Sequence, residues 1–328
     1  FLMPLRTDIS NSAYHGSGDL SRSVAWALLT RTPKQVWHDM KHPTPSDAPH
    51  FVIGGCTHTA TLEPFKLDEE YAVKPESIDG NGPRTNAYKA SFQTMQDHAP
   101  DKRWLAPSDY RHCMNMAAEA REHPIMQTYL DDPESVIEGT GFFEHEGADC
   151  KVRPDLWNPG AGVVVDLKTT QSANEKDFAR SVVKYGYVFQ SAWYLHSLRL
   201  MGENPKQFVF VCVEKTAPYL TNAFTLSASD VDRQKSRMSE ACKLWATCME
   251  SGVWPGYSDE VKTLNLGNNL NNRLSISELA EKFEVSRTYV YRILKDHSLE
   301  TRNIGNRRTI DMADFAQALR FDSEGRAA

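Results

Sequence analysis

The sequence predicts an α/β fold, a mixed sheet flanked by helices, followed by a small C-terminal helix–turn–helix unit. Three observations carry this. The centre of the 328-residue chain holds β-branched, apolar runs, "GVVVDLKTT" and "KQFVFVCVEK", that read as buried strands. Amphipathic stretches stand before, between and after them, the order of a sheet with helices laid over it. Late in the chain an Asn/Gly-rich stretch, "LGNNLNNR", precedes a compact unit whose two helical segments meet at a tight turn. The expected domains are 1–266, a linker at 267–273, a winged-helix-like unit at 274–320 and a tail at 321–328.

Composition narrows the class. Hydrophobic residues make up 40% and charged residues 24%, as in ordinary soluble proteins. No apolar run approaches the ~20 residues of a membrane helix, and "FLMPLRTDIS" is too short and too polar for a signal peptide. The expectation is a cytoplasmic protein with no membrane partner. The six cysteines (56, 113, 150, 212, 242, 248) form no C-x-x-C pair, which argues against a zinc ribbon or an iron–sulfur cage. Free thiols in a reducing compartment account for them. A net charge of −6 excludes a polycation that holds nucleic acid by bulk charge. It leaves open an enzyme whose acids gather at a metal, because the bound cation offsets them.

In chain order, "LSRSVAWALLT" and "PKQVWHDM" are short amphipathic helices, and "KHPTPSDAP" is a Pro-rich loop. "HFVIGGCTHTATLE" (50–63) is apolar, rich in small residues and helical in its second half. Residues 68–108 mix polar and aromatic residues without a clear period and yield no element. "DYRHCMNMAAEAREH" (109–123) is a helix stopped by Pro124. "GTGFFEHEGADCKVRPD" and "GVVVDLKTT" are strands. "FARSVVKYGYVFQSAWYLHSLRLMG" reads as a helix, "KQFVFVCVEK" and "YLTNAFTLS" as strands, and "SASDVDRQKSRMSEACKLWATCMESG" as one long helix closed by Gly252.

The chemistry concentrates in "VRPDLWNPGAGVVVDLKTT" (152–170). Residues i and i+2 of a strand share a face, so Asp166 and Lys168 point the same way within a run of valines. A turn at "NPGAG" centred between Gly160 and Ala161 sets Asp155 opposite Asp166. Like charges directly opposed destabilise a sheet, and a cation between them removes the repulsion. Two converging carboxylates suit Mg²⁺ or Mn²⁺ rather than Zn²⁺. A register one residue off would place the acids on opposite faces. Pro154 cannot donate to a ladder and marks a bulge or strand edge. An ammonium beside such a site orients a water or stabilises charge on a phosphate. The bland alternative is a surface hairpin with a structural Asp–Lys pair.

"RPD" followed by "DLKTT" resembles the signature of the PD-(D/E)xK nuclease superfamily, and more narrowly that of the RecE-type 5′→3′ exonucleases (exonuclease VIII) of phage recombination. "DISNSAYHGSGDLSRS" resembles that family's N-terminal opening, "GCTHTATLEP" its histidine-bearing helix, "YVFQSAWY" its Q-x-x-x-Y helix and "WPGYSDEVKTLNL" the end of its domain. The resemblance runs from about residue 8 to 266 and is weakest between 66 and 130. It implies a restriction-endonuclease-like core. It implies His58, Asp155 and Asp166 as ligands of Mg²⁺ or Mn²⁺, the main-chain carbonyl of Leu167 as a further ligand, and Lys168 as the residue assisting the attacking water. Gln190 and Tyr194, neighbours on one helix face, then stand beside the bound nucleotide. Double-stranded DNA ends as substrate, a homo-oligomeric ring (trimer or tetramer) and a single-strand annealing protein (RecT/Bet-like) as partner follow from the same resemblance. Glu63 is at most an indirect contributor. Glu138 and Glu144 read as solvated strand residues, although either is able to supply a further acid. Ser21 and Ser23 open a helix, as caps or as contacts to a DNA phosphate.

In "LSISELAEKFEVSRTYVYRILKDH" (274–297), Ser275 and Glu278 suit a capping box, and Ile276, Leu279, Ala280 and Phe283 form one apolar face. "EVS" is a turn and Ser286 caps a second helix packed through Val290, Ile293 and Leu294. Arg287, Thr288, Tyr291 and Arg292 fall on its outer side, the place of a recognition helix, with Arg307 in a hairpin beyond. Residues 270–320 hold 9 Lys/Arg against 7 Asp/Glu in an otherwise acidic chain. This unit lies outside the resemblance and reads either as a DNA-binding domain or as an oligomerisation module. The whole is read as a metal-dependent 5′→3′ DNA exonuclease that generates single strands for recombination by annealing. The rivals are a restriction- or repair-type endonuclease with the same site, and a DNA-binding regulator with an inactive nuclease-like domain.

Overall fold

The structure is a computed structural model that describes residues 5–42, 49–261, 273–297, 299–304, 307–312, 314–316, 318 and 319. Positions 267–272 of the expected linker and the tail at 321–328 lie outside the described residues. The chain forms two compact units, Phe1–Tyr257 and Ser258–Ala328.

The first unit opens with α1 (Asn11–Gly16), α2 (Arg22–Thr30), α3 (Pro33–Lys41) and α4 (Pro49–Leu62). The first three begin where a side chain accepts an otherwise unpaired amide: Ser10 from Ala13, Ser21 from Val24, and Thr32 from Gln35 in a capping box. Then follow α5 (Leu67–Glu70), β1 (Tyr71–Val73), α6 (Asn86–His98), β2 (Arg103–Leu105), α7 (Pro107–Glu122) and α8 (Pro124–Leu130). The stretch 68–108 thus holds a helix between two strands that pair in parallel, Tyr71 beside Arg103. Strands of three residues are too short to display a period of two.

The remaining elements are β3 (Val136–Ile137), β4 (Gly141–His145), β5 (Ala148–Val152), β6 (Leu156–Asn158), β7 (Val163–Thr170), α9 (Glu175–Lys184), α10 (Tyr187–Leu200), β8 (Gln207–Glu214), β9 (Thr221–Thr225), α11 (Ala228–Asp232) and α12 (Lys235–Ser251). The central sheet has the order β3-β6-β7-β8-β9, with β7 and β8 parallel and the other neighbours antiparallel. β4 and β5 form a separate hairpin. The valine run of β7 is buried on both faces. Val164 packs with Trp157, Phe208 and Phe210 toward α2, α10 and α12. Val163, Val165 and Leu167 pack with Val209 and Val211 toward α4, α7 and α8.

Two segments read as single helices are divided. α9 ends at Lys184 and α10 begins after Gly186, whose φ of +65° interrupts the helix. A Cβ there would stand 2.5 Å from the Trp26 ring, so glycine lets the break close against α2. The last long helix is split between α11 and α12, and Gly252 (φ +67°) closes it as expected. All six cysteines are free and buried. Among the described residues no helix is long and apolar enough to cross a membrane.

In the second unit, helices Ile276–Lys282 and Arg287–Asp296 are joined by a short turn. The Ser275–Glu278 capping box and the Ser286 cap both form. Thr301–Ile304 and Arg307–Asp311 make an antiparallel hairpin, and Arg273–Ser275, a strand the sequence did not suggest, pairs with the latter. Leu279, Val290, Ile293, Ile310 and Phe315 form its core.

Candidate active site

Three carboxylates form a row where β6 begins. Leu156 pairs with Val165 of β7 on one side and with Ile137 of β3 on the other. Carrying both registers one residue further brings Asp155 between Glu138 and Asp166. The hairpin register expected from "NPGAG" therefore holds, with Asp155 one residue outside the ladder. Pro154, lacking an N–H, separates β5 from β6 at this point. The backbone is still tied: the Glu138 N–H donates to the Asp155 carbonyl at 3.1 Å. The Leu167 N–H, on an edge where β6 supplies no partner, donates to Asp155 Oδ2 at 2.8 Å. N–H and C=O of one strand residue face the same neighbour, so the Leu167 carbonyl is directed to this edge too.

His58 arrives on α4. Glycine lets that helix pass close to β1: a Cβ on Gly55 would lie 2.7 Å from the Tyr71 hydroxyl. His58 Nε2 is 2.8 Å from Asp155 Oδ2, and Nδ1 is 3.4 Å from Glu138 Oε1. The ligand atoms of His58, Glu138 and Asp155 all lie within 4.8 Å of one another. Asp166 is fully buried; one oxygen accepts from Gln190 Nε2 and the other is ion-paired with Lys168. The Lys168 ammonium also stands 5.0 Å from the centroid of the Tyr187 ring.

Burial and charge work against each other here. Burial alone would lower the His58 imidazole, but Asp155 and Glu138 outweigh it and raise it to about 9. Burial raises Glu138 to about 8, with Asp155 and Glu63 adding to the rise and His58 opposing it. Burial raises Asp166 to about 6, with Lys168 opposing and Asp155 reinforcing. Asp155, despite burial, is held below its ordinary value by His58, Lys168 and the Leu167 amide. Lys168, despite burial, is held above its ordinary value by Asp166 and Asp155. Two acids facing one imidazole thus favour its protonated form. One imidazole nitrogen with converging carboxylate oxygens suits a hard divalent cation, which would take that proton's place.

The structure groups His58 with Asp155 and Glu138, and groups Asp166 with Lys168 and Gln190 within electrostatic reach of them; Asp166, expected as a metal ligand, lies outside the first group. Glu138 is half-buried rather than solvated, while Glu144 is exposed. The signal for Glu138 was weak because β3 has only two residues and Glu138 itself takes a left-handed backbone, φ +51°. Glu63 is ion-paired with Lys66 at 2.6 Å. Tyr194, one turn beyond Gln190, is half-buried, and burial together with Tyr14, Asp155 and Asp166 raises its hydroxyl well above the ordinary value. Ser21 caps α2. The residue after it, Arg22, went unnoticed in the sequence. Its Nη2 donates to the carbonyls of Tyr185 and Gly186 at 3.1 and 2.8 Å, while its Nε is buried without a hydrogen-bond partner.

A mixed sheet covered by helices, with this acid row, histidine and strand lysine, is the arrangement of a PDDEXK-like domain, a class whose nucleases generally use divalent metal ions. The chain belongs to the family described as "PDDEXK-like domain of unknown function (DUF3799)", whose model matches residues 25–266. In fold it is similar to a "putative exonuclease" from Eubacterium rectale, with 14% identity and a TM-score of 0.55 over 82% of this chain and 98% of that one. A phage related exonuclease from Haemophilus somnus 129PT is 14% identical over 60% of this chain and 95% of its own, with a TM-score of 0.29. No curated protein matches the chain.

Proposed function

We propose that the first unit is a RecE-type exodeoxyribonuclease that degrades linear duplex DNA 5′→3′ with Mg²⁺ or Mn²⁺ and leaves single strands for recombination by annealing. The observation that carries the reading is His58 set against Glu138 and Asp155, with Asp166 opposite Asp155 by register and Lys168 on the face of Asp166. A divalent ion held by His58, Glu138, Asp155 and Asp166 would supply positive charge to the scissile phosphate and acidify a water. The chain's own groups do the rest. Lys168, kept charged by two buried acids, holds the attacking water by donating to it. Gln190 fixes the Asp166 carboxylate so that it keeps Lys168 in place. Tyr194, neutral and half-buried one turn along α10, borders the nucleotide. A homo-oligomeric ring and a single-strand annealing partner belong to the same proposal and rest on the resemblance of the motifs. The deciding assay is digestion of 5′- and 3′-labelled linear duplex and of closed circles with Mg²⁺, with Asp166→Ala as control. Release from the 5′ ends with circles intact is expected. Cleaved circles would favour an endonuclease, and an inert wild type the DNA-binding regulator.

We further propose that the second unit holds duplex DNA. What supports this is the helix Arg287–Asp296: Val290, Ile293 and Leu294 are buried, while Arg287, Thr288, Tyr291 and Lys295 are exposed on its other side. Arg292 lies over the Tyr289 ring, 4.3 Å from its centroid, so its charge is held beside that face. Arg307 sits in the hairpin, but its side chain lies outside the described residues.

A further inference from the structure

β1 leads away from the acid row to a feature that the nuclease site does not use. Glu70, just before β1, accepts from Thr59 Oγ1 at 3.0 Å, one residue past His58. From Glu70 the chain runs along β1 to Lys74, a span of about 13 Å at ~3.3 Å per residue. There begins a cavity of about 690 Å³ between the stretch after β1, the helix α6 and the start of α7. Three cations line it, Lys74, Lys89 and Arg111, against one acid, Glu76. None of the three makes an ion pair among the described residues.

Two aromatic rings, Tyr88 and Phe92, line the same cavity. The Phe92 ring, half-buried, stacks near-parallel with Tyr88 (5.8 Å, 21°) and is braced edge-on by Trp104 (5.2 Å, 86°). Tyr88 donates to the Pro75 carbonyl at 2.6 Å, which fixes that wall of the cavity. Lys74 Nζ lies 5.9 Å from the Phe92 centroid, so cation and ring are presented together. An acidic peptide would satisfy the cations but has no use for a braced ring. A duplex hides its base faces in its own stack. An unpaired strand offers both what the cations and what the ring can bind, phosphates and a free base face.

We propose that this cavity binds single-stranded DNA, with a base on Phe92 and phosphates on Lys74, Lys89 and Arg111. Its role, receiving the strand that leaves the active site, rests on the nuclease reading; the binding itself does not. The test is fluorescence anisotropy of a labelled oligothymidylate with the full chain in EDTA, where no cleavage occurs. Salt-sensitive binding is expected, weakened about tenfold or more by Lys74→Glu with Lys89→Glu and by Phe92→Ala, and restored by Phe92→Tyr. A duplex of equal length and polyglutamate should compete poorly. Equal binding by wild type and both variants, or equal competition by polyglutamate, overturns the proposal. Hydrolysis of thymidine 5′-(p-nitrophenyl phosphate) with Mn²⁺ should be unchanged in these variants. If the wild type fails to hydrolyse it, the nuclease reading falls, while anisotropy still decides the cavity.

Discussion

The main-chain amide of Leu167 donates to Asp155 Oδ2 at 2.8 Å, and the same oxygen faces His58 Nε2 at 2.8 Å. One carboxylate oxygen thereby fastens the central strand to the start of β6 and to a helix 97 residues upstream. Asp155 stays ionised because donors surround it, whereas Asp166 depends on Lys168 for the same purpose.

That dependence sets the first prediction. Lys168→Met should lower hydrolysis by about 10²–10⁴-fold, the usual worth of a positioned proton-handling group. It should also cost about 3–5 kcal/mol of stability, because the fully buried Asp166 loses the cation that compensates it. Lys168→Met combined with Asp166→Asn should regain most of that stability in urea denaturation without regaining activity. A double variant no more stable than the single one would mean that the pair is not coupled.

Glu138 supplies the second. Glu138→Gln should weaken Mn²⁺ binding in calorimetric titration by about tenfold or more, as loss of a directly contacting or orienting group does at metal sites. Glu144→Gln, an exposed change on β4, should bind Mn²⁺ like the wild type. Equal affinities for all three proteins would remove Glu138 from the site.

The contrast between these acids shows what the sequence could reveal. Asp166 and Lys168 were legible because two charged residues inside "VVVDLKTT" contradict burial on both faces, and the short "NPGAG" turn fixed the register with Asp155. Glu138 was not legible because it joins the row through a two-residue strand, too short to show alternation, and a left-handed backbone. His58 was visible only through the likeness of "GCTHTATLEP" to a known helix, since its contacts with Asp155 and Glu138 span 97 and 80 positions of sequence. The split between α9 and α10 was hidden because Tyr187 and its neighbours continue the apolar pattern across Gly186. Only the closeness of Trp26 shows why the chain breaks there.

The shifted groups predict how the metal-free protein responds to pH. His58 is raised from 6.5 to about 9 on folding, so its contribution is complete below 6.5 and is lost as pH rises through about 9. Glu138, raised from 4.5 to about 8, has the same sign and loses its contribution as pH rises through about 8. In EDTA the melting midpoint should therefore decline between pH 6.5 and 9. Saturating Mn²⁺ should shrink the decline, because the cation replaces the protons. Parallel pH curves with and without Mn²⁺ would contradict this.

Gly186 and Gly252 separate two costs of a side chain. Both have positive φ, but a Cβ on Gly252 meets nothing within 4 Å, while one on Gly186 would stand 2.5 Å from the Trp26 ring. Gly252→Ala should cost about 1–2 kcal/mol from backbone strain alone. Gly186→Ala should add about 1–3 kcal/mol of overpacking. Equal losses of stability in urea would show that Trp26 yields freely.

The second unit can be separated from catalysis by charge. Arg287 and Lys295 are exposed on a helix whose opposite side, Val290, Ile293 and Leu294, is buried, so reversing their charge leaves the core intact. If the helix holds duplex DNA, Arg287→Glu with Lys295→Glu should weaken duplex binding at low salt. The same change should flatten the dependence on salt concentration by about one unit of slope for each phosphate no longer neutralised. Tyr291→Ala should weaken binding with little change in that slope, because tyrosine carries no charge to release counterions. Hydrolysis of thymidine 5′-(p-nitrophenyl phosphate) should be the same in all of these variants, since none of them changes a residue of the first unit. Unaltered duplex affinity and slope in the charge-reversed variant would assign the unit to protein contacts instead.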